Sequence, residues 1–188
     1  MELNNTADTN QLTEQILTRE TVFPGVIINL EHWKVTLPNG KEAMREVACH
    51  IGAAAVVAID DDDNLLLVRQ HRVAVERITR EIPAGKLDSR DEDPFECAKR
   101  ELSEETGMTA ESWEKLTCLE TTPGFCNERI HVYLARGLKQ GETHPDEDEF
   151  VDVIRMPVKE AVAAVMRGEI RDSKTVCGIL MASQKLGL

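Results

Sequence analysis

Three carboxylates are spaced to share one face of a short helix within the run 100–108. Glu101, Glu104 and Glu105 stand at positions i, i+3 and i+4, and side chains at these separations are neighbours on a helical surface. Like charges held this close repel one another unless a cation lies among them. Because oxygen ligands suit hard ions such as Mg²⁺ or Mn²⁺, the segment predicts a divalent-metal site.

A plainer interpretation is that the acids form a solvated stripe, helped by an ion pair between Arg100 and Glu104. The apolar residues of the helix share one face, which should pack on the core: Phe95, Ala98 and Leu102. Glu101 and Glu105 lie beside that face and should be partly buried, which costs free energy unless a metal ion or an arginine satisfies them. From these residues alone, both interpretations stay open.

Composition excludes several kinds of partner. The chain has 188 residues and a formal net charge of -12, whereas binding to nucleic acid or to an anionic membrane depends on Lys and Arg. We therefore expect neither partner. An anionic substrate remains compatible with this charge if metal ions and a few arginines reverse the local field.

The cysteines and the N-terminus indicate the cellular compartment in which the protein works. The five cysteines form no CxxC pair and show no zinc-like spacing, which suggests reduced thiols. No apolar stretch approaches membrane-spanning length, and the polar first 15 residues do not resemble a secretory signal. We expect a soluble, cytoplasmic protein.

Two regions are predicted along the chain. Strand-like segments at 26–30, 33–37 and 45–48, with a hairpin turn at Asn39-Gly40, indicate an N-terminal strand region over residues 1–50. Such a hairpin is too small to be stable alone, so a role in dimerisation is expected. Residues 51–188 would form the main domain, opening with a buried strand at 52–59 and a hairpin partner at 65–69.

The rest of the main domain mixes strands and helices. Further strands are predicted at 81–85, 114–122, 129–135 and 150–156, and late helices at 158–167 and 172–185. The acidic helix should begin with Asp93 as N-cap, Pro94 in the first helical position and Glu96 in a capping box, and should end at Gly107. This pattern predicts an α+β domain.

The stretch 85–108 resembles the Nudix box: Gly, five residues, Glu, seven residues, Arg-Glu, an aliphatic residue, any residue, Glu-Glu, any residue, Gly and an aliphatic residue. One departure is that six residues, not five, separate Gly85 from Glu92, so either Asp91 or Glu92 could fill the first acidic position. The family's fold is a mixed β-sheet between helices, here expected with an N-terminal β-hairpin extension.

Segments outside the box resemble the ADP-ribose pyrophosphatase branch of this family. They are Glu81–Gly85, Thr122–Phe125, Asp146–Phe150 and Asp172–Thr175. A proline at the position of Pro123 is characteristic of the ADP-ribose enzymes in that branch. Each segment is a weak signal alone, but their order and spacing together are strong.

The resemblance implies a role for each residue of the acidic helix. Glu101 and Glu105 would bind the metal ion through their side chains, and Ala84 would add its carbonyl oxygen. Glu104 would be a catalytic metal ligand or support one, and Arg100 would orient the acids by ion pairing.

A second acidic segment lies late in the chain. By the same resemblance, Glu147 would be the general base that takes a proton from the attacking water, and Glu149 a further metal ligand. His144 is an alternative base, and an isolated acidic run is otherwise a solvated loop.

Substrate contacts also follow from the resemblance, and the residues concerned are Arg45, Glu46, Arg72, Lys86, Thr122, Pro123, Gly124 and Glu128. A diphosphate in an acidic pocket favours arginine forks such as those of Arg45 and Arg72. In this branch the N-terminal strands are exchanged between subunits, so a homodimer is expected and Arg45 could serve the partner's site. Trp33 or Phe23 could stack on adenine.

Together these residues imply an enzyme that uses Mg²⁺, or Mn²⁺, to hydrolyse the diphosphate of ADP-ribose or a related nucleoside diphosphate sugar to AMP and ribose 5-phosphate. Alternatives are a Nudix hydrolase acting on GDP-mannose or NADH, and a non-catalytic sensor of nucleotide sugars on the same fold. The number of carboxylates argues against the sensor.

Overall fold

The structure is a computed structural model that describes residues 11–141 and 150–188. Its chain divides into two compact units. The first contains the chain up to His50 together with Thr122–Glu128, and the second contains Ile51–Thr121 and Arg129–Leu188. The short segment 122–128 therefore belongs with the N-terminal region and not with its neighbours in sequence.

The first unit is built on an antiparallel sheet of β1 (Gln15–Pro24), β2 (Asn29–Thr36) and β3 (Glu42–Cys49), in that order. The predicted hairpin turn between β2 and β3 is confirmed, because Leu37 N–H donates to Lys41 O at 2.7 Å and Gly40 adopts a φ of 80°. This positive φ is the conformation that favours glycine.

The beginning of the first unit differs from the prediction. Strand β1 lies in the region predicted to be strand-like, although no strand was specified there, and residues 26–28 form a turn that Gly25 N–H closes on Ile28 O at 3.0 Å. The apolar run that suggested a strand is therefore largely a connection, and β2 starts only at Asn29. Val26 and Ile27 are 94% and 60% exposed, so their apolar character alone did not indicate a buried strand.

The second unit contains seven strands in its described part: β4 (Ala53–Ala58), β5 (Asn64–Arg72), β6 (Arg77–Glu81), β7 (Ala84–Lys86), β8 (Met108–Glu120), β9 (Arg129–Gln140) and β10 (Asp152–Pro157). They form one sheet in the order β7-β4-β9-β8 and another in the order β10-β5-β6. Strand β4 runs parallel to β9, and the other pairs are antiparallel. The predicted mixed sheet is confirmed.

Helices cover both faces of β4. They are α1 (Pro94–Thr106), α2 (Val158–Met166) and α3 (Ser173–Leu186). Val56 belongs to a core cluster with Leu102 of α1, whereas its neighbour Val57 belongs to a cluster with residues of α2 and α3 such as Ile179. Side chains alternate between the faces of a strand, so the fully buried β4 is packed from both sides. This is the predicted α+β sandwich.

The ends of α1 follow the predicted signals, with one exception. The Asp93 side chain accepts a hydrogen bond from Phe95 N–H at 2.9 Å, and Gly107, at a φ of 67°, donates to Ser103 O at 2.8 Å. Glu96 does not complete the capping box but accepts a hydrogen bond from Lys99 at 2.7 Å. Its carboxylate pairs instead with the ammonium group of Lys99, three residues later on the helix.

Two strand predictions need correction. Strand β5 joins the second sheet, and its pairing with the end of the β4 segment is limited to a bridge between Leu65 and Ile59, the residue after β4. The single strand predicted over 81–85 is divided between β6 and β7 by the pair Ile82-Pro83. Proline has no N–H for a ladder, so the chain can leave one sheet and enter the other at this point.

No helix in the described ranges is long and apolar enough to span a membrane.

Candidate active site

Glu101 and Glu105, here called the acid pair, lie one helical turn apart on α1 with only 8% and 4% of their surface exposed. Glu105 Oε2 accepts a hydrogen bond from the Ala84 N–H of β7 at 3.0 Å. The Glu101 carboxylate lies so close to Gly85 that a Cβ atom built on Gly85 would overlap it. The acid pair therefore lies directly against the backbone at 84–85.

Arg100 ties the neighbouring acids together. Its Nη1 donates to Glu101 at 2.7 Å and to Glu104 at 3.0 Å, and its Nη2 donates to the Lys86 carbonyl at 3.2 Å. Burial alone would lower the pKa of Arg100, but the charges of Glu101 and other neighbours raise it above its ordinary value. The guanidinium is thus a permanent cation that orients the helical acids.

The loop before α1 places Glu92 beside this arginine. Glu92 Oε1 lies 3.5 Å from Arg100 Nε, and Glu92 Oε2 accepts a hydrogen bond from Asp88 N–H. Asp91 is exposed, and its N–H donates to Ser89 Oγ at 3.3 Å. Of the two residues left open by the sequence, Glu92 is therefore the one that contacts the acidic helix network.

The residues present suit a hard cation. In the described ranges no group of three or more His, Cys, Asp or Glu side chains is arranged to hold a metal ion. The acid pair nevertheless offers two buried carboxylates, and the lack of a side chain on Gly85 leaves room for that of Glu101. Such an oxygen donor set fits a hard divalent ion. The predicted residues His144, Glu147 and Glu149 lie outside the described residues.

A second charged cluster joins β5, β6 and the start of α3. Arg72 donates to Glu81 twice, from Nε to Oε1 and from Nη2 to Oε2, both at 2.9 Å. Lys174 Nζ donates to Glu81 Oε2, the oxygen that Arg72 Nη2 also contacts, and to Asp172, the latter at 3.1 Å. Thr79 Oγ1 adds a hydrogen bond to Glu81 at 2.6 Å. We call these five residues the Glu81 network.

Burial would raise the pKa of Glu81, whose surface is only 3% exposed. The hydrogen bonds from Arg72, the charge and hydrogen bond of Lys174 and the hydrogen bond from Thr79 outweigh burial and lower this pKa to about 2. Glu81 is therefore ionised throughout the physiological range.

In the first unit, three predicted substrate residues share one cavity. Arg45, Pro123 and Gly124 line a space of about 320 Å³ together with Trp33 and Phe125. Arg45 is engaged by Glu14, to which its Nε donates at 3.1 Å. The arginine fork is therefore neutralised by a neighbouring carboxylate in this structure.

The other predicted substrate residues do not line this cavity. The Thr122 carbonyl accepts a hydrogen bond from the N–H of Phe125, a lining residue, at 3.1 Å. Glu46 is exposed and lies 3.9 Å from His32, and the Glu128 carboxylate lies 3.5 Å from His50 Nδ1. The remaining two, Arg72 and Lys86, belong to the second unit.

The predicted adenine platform is partly occupied. The guanidinium of Arg19 lies 4.4 Å from the centre of the Trp33 ring. A cation at this distance over an indole is a stabilising contact, so one ring face is already covered. Phe23 is 60% exposed.

Residues 50–177 match the NUDIX domain. The chain belongs to the Nudix family. It is 42% identical over 170 residues to the ADP-ribose pyrophosphatase of Bacillus subtilis (strain 168), covering 89% of this chain and 91% of that protein. It is 43% identical over 168 residues to the methanol dehydrogenase activator of Bacillus methanolicus, covering 88% and 90%.

Two more distant matches complete the comparison. A GDP-mannose pyrophosphatase of Cronobacter sakazakii (strain ATCC BAA-894) is 37% identical over 134 residues, covering 66% of this chain and 69% of that protein. A solved structure described as an ADP compounds hydrolase has a TM-score of 0.81 at 24% identity, covering 94% of this chain and 96% of the other. This likeness supports the Nudix fold. Nudix hydrolases generally use divalent metal ions, in agreement with the two buried carboxylates of the acid pair.

The structure also explains the extra residue in the Nudix box. Between β7 and α1 the chain makes a turn in which Glu92 N–H donates to Ser89 O at 3.3 Å. The added residue is absorbed before the Asp93 cap, so the helical part of the box keeps its spacing.

Sequence reasoning noted Glu81 and Lys174 only as parts of family-like segments and missed their contact. One signal was available, since each charged residue directly borders a mainly apolar segment. A buried charge in such a place requires a partner, but the sequence does not say which.

Proposed function

We propose that this protein is a Mg²⁺-dependent Nudix hydrolase that cleaves the diphosphate of ADP-ribose, or of a related nucleoside diphosphate sugar, into AMP and ribose 5-phosphate. The observation that carries the proposal is the buried acid pair against Ala84 and Gly85. The 42% identity to an ADP-ribose pyrophosphatase over 89% of the chain supports the choice of substrate.

The acid pair and the Ala84 carbonyl would hold the ion, and Arg100 would keep the helical acids oriented. A Mg²⁺ ion held there would supply positive charge to the diphosphate and would make a nearby water easier to deprotonate. Mn²⁺ could replace it, because both ions accept oxygen ligands. Glu104, which Arg100 holds at 3.0 Å, would support the same site.

Proton transfer is assigned to the late acidic segment, as predicted from the sequence. Glu147 would accept the proton of the attacking water, with Glu149 as a further ligand. The water oxygen forms a bond to one phosphorus of the diphosphate, and the bond from that phosphorus to the bridging oxygen breaks. The second phosphate leaves with the bridging oxygen, so hydrolysis needs no further reactant.

Substrate binding is assigned to arginines and to the cavity of the first unit. Arg72, 43% exposed in its side chain, would offer its Nη1 group to a phosphate oxygen, since Nε and Nη2 donate to Glu81. Lys86 would add a positive charge, and Arg45, Glu46, Thr122, Pro123, Gly124 and Glu128 would contact the nucleotide or the sugar. The shared cavity of Arg45, Pro123 and Gly124 supports this part of the proposal.

We also propose a cytoplasmic homodimer. All five cysteines are free thiols, as expected in a reducing compartment. Strand β1 has every residue exposed, including apolar side chains, and a second copy of the N-terminal strand region (1–50) would cover them.

Hydrolysis is tested by incubating the purified protein with ADP-ribose and MgCl₂ and separating the products. We expect AMP and ribose 5-phosphate in equal amounts. Glu101→Gln should lower kcat/KM by at least about a hundredfold, because removing one metal carboxylate misplaces the reacting groups. Glu96→Gln on the exposed side of the same helix is the matched control and should retain activity.

A wild-type protein that forms no more AMP than Glu101→Gln would contradict the proposal. Tight binding of ADP-ribose by calorimetry without turnover would establish the non-catalytic sensor instead. Because a GDP-mannose pyrophosphatase is also among the relatives, kcat/KM should be compared for ADP-ribose, GDP-mannose and NADH. Equal values across this panel would show that ADP-ribose is not the preferred substrate.

A further inference from the structure

The side chain of Arg72 is held on one edge only. Its Nε and Nη2 groups are both used by Glu81, in a two-point contact with equal distances of 2.9 Å. In the described part of the chain its Nη1 group makes no hydrogen bond, and 43% of the side chain is exposed. The fork is therefore fixed in orientation while one edge remains open to an anion.

Glu81 is itself fixed by two further donors, one on each of its carboxylate oxygens. Lys174 Nζ and Thr79 Oγ1 donate to it, and both Glu81 and Lys174 have less than a tenth of their surface exposed. Asp172 receives the second hydrogen bond of Lys174, at 3.1 Å. The network thus contains two cations and two carboxylates, which is a balanced set for a buried position.

The network is continuous with the backbone that reaches the acid pair. Ile82 N–H donates to the buried Thr175 Oγ1 at 2.9 Å, and two residues later Ala84 N–H donates to Glu105 at 3.0 Å. The hydrogen bond of Glu81 raises the pKa of Arg72, and the charge of Glu105 raises it further. Arg72 therefore lies within the electrostatic influence of the acid pair.

We infer that Glu81, held by Lys174, is a positioning residue that aims the open edge of the Arg72 guanidinium at an oxygen of the substrate diphosphate. The inference rests on the proposed function, because it takes Arg72 as a diphosphate contact. An unrestrained arginine loses rotational freedom when it binds an anion, whereas one already held by Glu81 loses less. Positioning should therefore strengthen diphosphate binding more than it changes the chemical step.

The test compares Glu81→Gln with Thr175→Val. Glu81→Gln keeps the shape of the side chain but removes the charge that holds Arg72. Thr175→Val removes two hydrogen bonds from the same junction of β6 and α3, those of the hydroxyl with Ile82 and Asp172, and this hydroxyl makes no hydrogen bond to Arg72. KM and kcat are measured with ADP-ribose, and the Kd of a nonhydrolysable methylene diphosphonate analogue is measured by calorimetry.

We expect Glu81→Gln to raise KM and Kd about tenfold while kcat changes less than about threefold, as for loss of binding shared by ground and transition states. Thr175→Val should lower the melting temperature and leave Kd unchanged. Lys174→Met, a second variant that leaves Arg72 and Glu81 in place, should raise Kd in the same direction by about threefold.

A double-mutant cycle decides whether Glu81 acts through Arg72. In an Arg72→Ala background, Glu81→Gln should weaken binding of the analogue no further. A full additional effect in that background, or a Kd for both Glu81→Gln and Lys174→Met equal to that of the wild type, would overturn the inference. Absence of ADP-ribose hydrolysis by the wild type would instead refute the proposed function, and the Kd measurements would still report on positioning.

Discussion

Gly85 determines how closely the backbone of β7 can approach Glu101. A Cβ atom at this position would overlap the Glu101 carboxylate, so any side chain must push the acid away. The constraint is one of space and not of backbone conformation, because Gly85 is absent from the residues with positive φ in the described chain. A substitution here should therefore disturb the acid pair without straining the main chain.

Gly85→Ala should lower kcat/KM for ADP-ribose by about a hundredfold, since displacement of a reacting group by an ångström has effects of this size. It should also weaken Mg²⁺ binding measured by calorimetry. Gly178→Ala is the control, because its Cβ would meet the Val57 side chain at 2.8 Å in the core, and its three nearest atoms are all apolar. That variant should lower the melting temperature by a few degrees and keep its kcat. Unchanged Mg²⁺ affinity in Gly85→Ala would contradict this account.

Residue types and spacing predicted the acid pair because helical periodicity relates side chains that are close in sequence. Glu101 and Glu105 were expected at the edge of the apolar face, and the structure buries both. The Glu81–Lys174 contact joins residues that are 93 positions apart, so no local pattern could have indicated it. Long-range pairs require the fold to be known first.

Helices and strands show the same difference between features set by local sequence and features set by long-range contacts. The start and end of α1 were predictable because Asp93, Pro94 and Gly107 act through the local backbone. The membership of β5 in the second sheet was not, since hairpin spacing suggested pairing with β4, whereas β5 forms only a single bridge to Ile59, just after β4. Whether neighbouring strands pair depends on packing against the helices, which a sequence pattern does not specify.

At the junction of β6 and α3, the Glu81 network should make the free energy of unfolding fall at acidic pH. The folded-state pKa of Glu81 is about 2, below the ordinary value of 4.5. Its contribution is therefore complete above pH 4.5 and is lost as the pH falls from 4.5 towards 2.

At neutral pH the ionised Glu81 should contribute about 3 kcal/mol to the free energy of unfolding of the wild type. Glu81→Gln lacks this contribution, so the two proteins should differ by this additional amount. This part of the difference should fall to roughly half by pH 3. Urea unfolding of both proteins at pH 7, 5, 4 and 3 measures the change. A difference between the two proteins that stays constant over this range would show that the Glu81 network does not stabilise the ionised carboxylate.

The whole molecule combines a strong negative charge with local positive groups. The net charge of -12 is opposed near the acidic helix by Arg100 and at the Glu81 network by Arg72 and Lys174. A metal ion at the acid pair would add to these cations. The protein as a whole repels anions at long range. We therefore expect an anionic diphosphate to bind only when the metal ion is present.

Exposed apolar surface on β1 predicts the oligomeric state. Ile16, Leu17, Val22 and Phe23 are each more than 40% exposed, on a strand that buries none of its residues in the single chain. Exposed apolar groups so close together are typical of a protein interface. Sedimentation equilibrium should give about twice the chain mass of 21.0 kDa. Phe23→Glu should shift this equilibrium towards the monomer, because it places a charge in the expected interface.

The matched control for this substitution is Met166→Glu, which introduces the same charge at a residue of α2 that is 75% exposed. It should leave the dimer intact. The assay must be made at the same protein concentration as sedimentation, so that activity and mass refer to one species. If the wild type sediments as a monomer while it hydrolyses ADP-ribose at full rate, the N-terminal strands do not serve a second subunit, and Arg45 must act within its own chain or not at all.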